Sequence, residues 1–193
     1  MKTIELSHEE MEERISRFAS LQPLPVQKNP NIPQEAKDIL YARKLLSVIG
    51  LEDDAETPIS SGAPIKGAAG ATMTIAVCPS GQGPTLHAHQ NTYETFTVLQ
   101  GRFEISWNDD GEHGVVLDRF DTISVPPRVC RSFKNVSEEE GILQVIITGG
   151  IHDMTDIGMP PAVADRLDAV KPGLSKEFEN MGLTFTAGKE QAA

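Results

Sequence analysis

Two histidines separated by one residue, His87 and His89, are followed a short interval later by Glu94. Side chains of a strand alternate between faces, so a His-x-His strand segment turns both imidazoles to one side. Gln90, Asn91, Thr92 and Tyr93 leave room for a turn into a second strand that brings Glu94 onto the same patch. Two imidazole nitrogens and a carboxylate oxygen suit iron, manganese, zinc, nickel or copper. His87, His89 and Glu94 are therefore candidate metal ligands, in a stretch bracketed by Gly81 and Gly101.

These residues need strands to hold them, and the chain supplies strand texture from Ala71 onward. Short apolar runs punctuated by turn residues predict strands over Thr72–Cys78, Pro84–His89, Glu94–Leu99 and Arg102–Trp107. More follow over Val115–Leu117, Thr122–Val125, Arg131–Asn135 and Gly141–Thr148. Gln100-Gly101 and Asn108-Asp-Asp-Gly111 are turn signals between them. Close spacing of this kind predicts an all-β, antiparallel sandwich or barrel. Ahead of it, Ser7 with Glu10 forms a capping box, and Met11, Ile15 and Phe18 recur at helical spacing, predicting a helix over residues 8–19. A proline-bearing connector runs to Pro33, and a short helix followed by a strand is expected across residues 34–50. Residues 51–70 read as loop with one edge strand. Behind the strands, Pro160-Pro161 opens a helix that Lys171-Pro-Gly stops, and Leu174–Met181 forms another, ended by Gly182. The expected division is an N-terminal arm over residues 1–50, a barrel over residues 51–150 and a helical extension over residues 151–193.

Gly81, His87, His89, Glu94 and Gly101 match without a gap the first motif of the cupin family, which this chain resembles over about residues 70–150. The second motif, glycine, Pro-x-Gly, histidine and asparagine, keeps its spacing: Pro126 and Asn135 are in place, while Phe120 and Arg128 replace the glycines and Arg131 replaces the histidine. The resemblance implies a small cupin jelly-roll barrel, a homodimer, and a divalent transition metal (Fe, Mn, Zn or Ni) held by three histidines and a glutamate. Here the fourth ligand is in question, because arginine is permanently protonated and has no lone pair to give. A guanidinium about 5 Å from a divalent ion costs roughly 6 to 7 kcal/mol at an effective dielectric of about 20. A metal then requires that Arg131 point aside or that an anion lie between the charges.

Two readings follow. In the first, the chain is a metal-dependent, dioxygenase-like enzyme acting on a small anionic organic substrate, with Arg131 as the clamp on its carboxylate. In the second, Arg131 pairs with Glu94, occupies the metal corner, and leaves a non-catalytic pocket for a small acid or sugar. Cys130 should face away from the site, and His113 should lie in a solvent-exposed turn. His152 follows the last strand. Tyr93, Phe96, Phe103, Trp107 and Phe133 should pack the core, with parity favouring Phe96 for the cavity wall.

Composition limits the alternatives. The 193 residues carry 28 acidic against 17 basic side chains, a net charge of -11 that repels a phosphate backbone, so nucleic acid is not an expected partner. No apolar run reaches membrane-spanning length, and no signal-type segment opens the chain. Cys78 and Cys130 have no metal-type spacing and read as free thiols of a cytoplasmic protein. No nucleophile elbow, phosphate-binding glycine loop or dinucleotide fingerprint is present.

Overall fold

Alternation of side chains produces the sheets. In the computed structural model, which describes residues 7, 9, 16–50, 62–66, 70–149 and 154–188, buried positions recur at every second residue of Tyr93–Gln100 and of Gly141–Thr148. The strands are β1 (Lys44–Gly50), β2 (Ile65–Lys66), β3 (Ala71–Cys78), β4 (Ala88–His89), β5 (Tyr93–Gln100) and β6 (Phe103–Trp107). They continue with β7 (His113–Leu117), β8 (Thr122–Val125), β9 (Arg131–Asn135), β10 (Gly141–Thr148) and β11 (Ile157–Gly158). One sheet runs β2-β1-β3-β10-β5-β8, a second β7-β6-β9, and a third pairs β11 with β4. A His87–Arg131 bridge joins the last two. Phe96, Val98, Leu143 and Val145 of the large sheet meet Phe103, Ile105, Leu117 and Phe133 of the facing sheet in one core. This is the antiparallel sandwich expected from the strand pattern, and the jelly roll that the cupin resemblance implies.

The strand limits agree closely with those read from the sequence, apart from the segment ahead of the histidines. Pro84 has no N–H to give, and Thr85 N–H donates to Ile39 O of the arm rather than to a strand. Only Ala88–His89 is therefore strand there, with His87 bridged just ahead of it. β1 belongs fully to the large sheet, so sheet structure begins on the arm side of residue 51. The edge strand of the following loop is β2, parallel to β1. Most of the expected helix over residues 8–19, and His152, lie outside the described residues.

The second-motif departures from glycine leave a mark on the backbone. Phe120 and Arg128 both keep the left-handed conformation, with φ of 75° and 65°. The turn geometry outlasts the residue type that makes it easy. Asn135 is fully buried and ties neighbouring elements together: Nδ2 donates to Cys78 O and Glu139 O, and Oδ1 accepts from Ser137 N–H.

The two extensions meet in a second core. The helices are α1 (Pro25–Lys28), α2 (Gln34–Leu40), α3 (Pro161–Val170) and α4 (Leu174–Asn180). The proline at the start of α3 suits its first turn, as expected. Ile32, Ala36 and Leu40 from the arm pack with Val163, Leu167, Leu174, Phe178 and Leu183 from the far end of the chain. Gln27 and Gln82 side chains lock the arm down, bonding Ala42 O with Leu45 N–H, and Tyr41 O with Arg43 N–H, respectively. No helix among the described residues is long and apolar enough to cross a membrane.

Candidate metal centre

β4 with the bridged residue just ahead of it, and β5, deliver the three candidate ligands as the His-x-His spacing predicts. His87 and His89 project from one face, their ring centroids 5.5 Å apart. The turn after His89 returns the chain into β5, where Glu94 is the second residue. Glu94 Oε2 lies 3.3 Å from His87 Nε2 and 3.6 Å from His89 Nε2, and all three residues are buried. Donors about 2.0–2.2 Å from a shared ion, at angles between square and tetrahedral, stand about 3.0–3.5 Å apart, so this spacing suits a metal.

Proton bookkeeping sharpens the fit. His87 Nδ1 lies 3.0 Å from Thr85 O, which can only accept, so that nitrogen carries the hydrogen. His89 Nδ1 lies 3.1 Å from Asp156 Oδ2 and 2.9 Å from Thr92 Oγ1. The Thr92 hydroxyl already donates to Asp156 Oδ2 at 2.6 Å, so His89 Nδ1–H is a donor as well. Each neutral imidazole therefore turns its Nε2 lone pair toward Glu94 Oε2, which accepts no hydrogen bond among the described residues. Three electron-rich atoms converge without a proton between them, and a cation satisfies all three. Burial lowers the His89 pKa, favouring this neutral, ligating form. Burial would raise the Glu94 carboxyl, and the Arg131 guanidinium beside it acts against that.

Arg131 enters this cluster from β9, hydrogen-bonded to His87 through both backbone groups. Its side chain is fully buried; Nη1 donates to Val129 O at 3.0 Å, and Nε lies 3.2 Å from Glu94 Oε2. That contact is an ion pair, not aligned for a hydrogen bond, and Nη2 makes none either. The anion that must separate arginine from a metal is thus Glu94 itself. Among the described residues, two buried carboxylates, Glu94 and Asp156, stand against one guanidinium, so the cluster has room for further positive charge.

A cavity of about 70 Å³ opens beside the ligands. His87, His89 and Glu94 form its polar end, and its walls include Leu45, Phe133, Val145 and Ile147 from the sandwich. Leu40 and Ala42 of the arm, with Ile157, Met159 and Leu183 of the C-terminal segment, cover it. Arg131 is absent from this lining, so the guanidinium expected to face a substrate meets Glu94 instead. Phe96 also stands back: Tyr41 and Phe133 are at the wall, and Phe96 supports Phe133 edge-on at 5.3 Å. Phe96, Phe103 and Phe133 are core residues, whereas Tyr93 is 49% exposed. Exposed His113 stacks beside Trp107. Cys78 and Cys130 are buried free thiols, and burial pushes them to about 12 and about 11.

Sequence reasoning missed Asp156. Besides His89 and Thr92 it accepts Asn91 N–H through Oδ1 at 2.7 Å, and its backbone O accepts Gln90 N–H. Burial would raise its carboxyl, but the bonds from His89, Thr92 and Asn91 N–H win and hold it at about 2. No spacing rule links residue 156 to residue 89; only the β11–β4 pairing does.

Comparison with known proteins agrees with the fold. Residues 74–147 match the family model described as Cupin domain. No curated protein matches the chain. Among solved structures, the chain is similar to an uncharacterized conserved protein with a double-stranded β-helix domain from Klebsiella pneumoniae, at 20% identity over 42% of this chain and 70% of that one, TM-score 0.39. A cupin protein from Bacteroides fragilis is 27% identical over 42% of this chain and 66% of that one, TM-score 0.38. A predicted oxalate decarboxylase from Thermotoga maritima is 18% identical over 42% and 68%, TM-score 0.39.

Proposed function

The chain belongs to the cupin superfamily through residues 74–147, and from that premise we propose that it is a mononuclear metal enzyme of dioxygenase-like type acting on a small, anionic organic substrate. One observation carries the reading: the lone pairs of His87 Nε2 and His89 Nε2 converge with Glu94 Oε2 at 3.3 and 3.6 Å while both Nδ1 protons are held elsewhere. Two histidines and one carboxylate with open positions form the ligand set of non-haem iron oxygenases, and the same set takes zinc, manganese or nickel. Bound there, a divalent transition metal supplies Lewis acidity or oxygen activation.

The protein's own residues do the remainder. His87, His89 and Glu94 hold the ion at the inner end of the cavity. The apolar walls take the body of the substrate and exclude water, which strengthens polar interactions at that end. Among the described residues no lysine or arginine lines the cavity, so an anionic head group points to the metal end rather than to Arg131. Arg131 acts through Glu94, keeping that carboxylate ionised and directed inward.

The 3.2 Å contact between Arg131 and Glu94 favours a second reading, in which the guanidinium supplies the cation and the cavity binds a small acid or sugar without catalysis. Metal analysis separates the two. The enzyme reading expects about one equivalent of a transition metal in the purified protein, lost in His87→Ala. Failure to take up Fe(II), Mn(II), Zn(II) or Ni(II) on reconstitution overturns it.

A further inference from the structure

Asp156 stands outside the matched cupin residues, nine positions past their end at residue 147, yet it is the most heavily bonded carboxylate beside the candidate centre. It is 3% exposed. Its two oxygens accept from His89 Nδ1, Thr92 Oγ1 and Asn91 N–H, and its carbonyl accepts Gln90 N–H. Every residue of the turn between His89 and Tyr93 thus bonds to this one side chain or its backbone. Directly after it, Ile157 pairs with His89 in register, and Ile157 and Met159 form part of the cavity cover.

We infer that Asp156 is a positioning residue for the metal centre, which makes the docked C-terminal segment part of the ligand set's support as well as the cover of the cavity. The inference rests on the metal reading above. A carboxylate facing Nδ1 fixes the tautomer and the ring plane of His89 and raises the basicity of Nε2, the atom that ligates. His87 receives its orientation from a main-chain carbonyl, Thr85 O, which no side-chain substitution removes. Among the described residues, Asp156 is the side chain beyond residues 74–147 that bonds a candidate ligand directly. The cover and the metal support one another: docking β11 beside β4 brings Asp156 to His89, and an ion on His89 holds the ring that Asp156 grips.

Zn(II) affinity, measured by competition with a chromogenic chelator, tests this. Asp156→Ala is expected to weaken Zn(II) binding about 10- to 100-fold, the scale on which ligand-orienting partners act. Asp156→Asn, which keeps an acceptor oxygen without charge, is expected to recover part of the loss. A loss of less than about twofold in Asp156→Ala, against a wild type that binds, overturns the positioning role alone. Wild-type protein that binds no Zn(II) overturns it together with the metal reading. Nitrogen-15 NMR of the wild-type imidazoles needs no variant to fold: His89 is expected as the Nδ1–H tautomer, and an Nε2–H tautomer overturns the role.

Discussion

Arg131 brings a permanent positive charge into the interior with none of its side chain exposed, and Glu94 is the charge that answers it. Burying such a pair costs desolvation on both sides, and removing one partner is more costly than the pair itself. The same geometry makes Arg131 an informative place to cut. Arg131→His takes away the fixed charge and offers a lone pair at the corner where the family places its histidine. Zn(II) binding is expected to tighten by about tenfold or more, comparable to the effect of a ligand's partner; a weaker site would show that Glu94 relies on the guanidinium for its orientation. Acid gives a second residue-scale test. Asp156 sits at about 2 in the folded protein, below its ordinary value of 3.8. The unfolded chain therefore takes up the proton first as pH falls. The stability this carboxylate contributes is full above about pH 5 and is lost progressively toward pH 2. Urea unfolding across that window should show an acid limb that Asp156→Asn makes shallower; equal slopes would mean that the carboxylate is not held ionised by its neighbours.

At the scale of elements, the turn before β8 and the turn before β9 hold φ of 75° and 65° without glycine. Left-handed backbone costs roughly 1–2 kcal/mol in a residue with a Cβ. Phe120 is 68% exposed, so little packing opposes a change there beyond its contact with Arg119, 4.5 Å from the ring centre. Phe120→Gly is expected to stabilise the fold by about 0.5–1 kcal/mol, the strain relieved less the entropy that glycine adds to the unfolded chain. A loss of stability in chemical denaturation would show that the ring does more than its exposure indicates. The preserved turns also explain why the second motif remains legible by spacing after its glycines are gone: strand register, not residue type, demands the conformation.

Across the whole molecule, stability and site geometry are shared between two cores. The sandwich core holds the strands, and the second core clamps arm to C-terminal helices over the cavity. Leu167 is fully buried in the second core. Leu167→Ala is expected to cost about 2–5 kcal/mol, with faster hydrogen exchange around β11 and α4 than in β10. Uniform acceleration throughout the chain would instead show a single cooperative unit. The cysteines report on the same integrity: burial keeps Cys78 and Cys130 protonated, at about 12 and about 11. Neither is expected to react with a thiol reagent near neutral pH until denaturant is added, and rapid labelling of the native protein would contradict their burial.

The jelly-roll strands, the ligand trio and the odd arginine were all legible in the sequence, because each rests on a local rule: alternation along a strand, a fixed spacing across one turn, and the chemistry of a guanidinium. Asp156, the choice of Phe133 over Phe96 at the cavity wall, and the direction of Arg131 were not. Each depends on which distant segments come to lie side by side. β11 reaches β4, the arm reaches the loop before His87, and Arg131 meets Glu94 from a strand of another sheet. Local periodicity names the faces of an element, but the partner that each face meets is settled by long-range packing, and only the tertiary structure decided what surrounds the candidate metal corner.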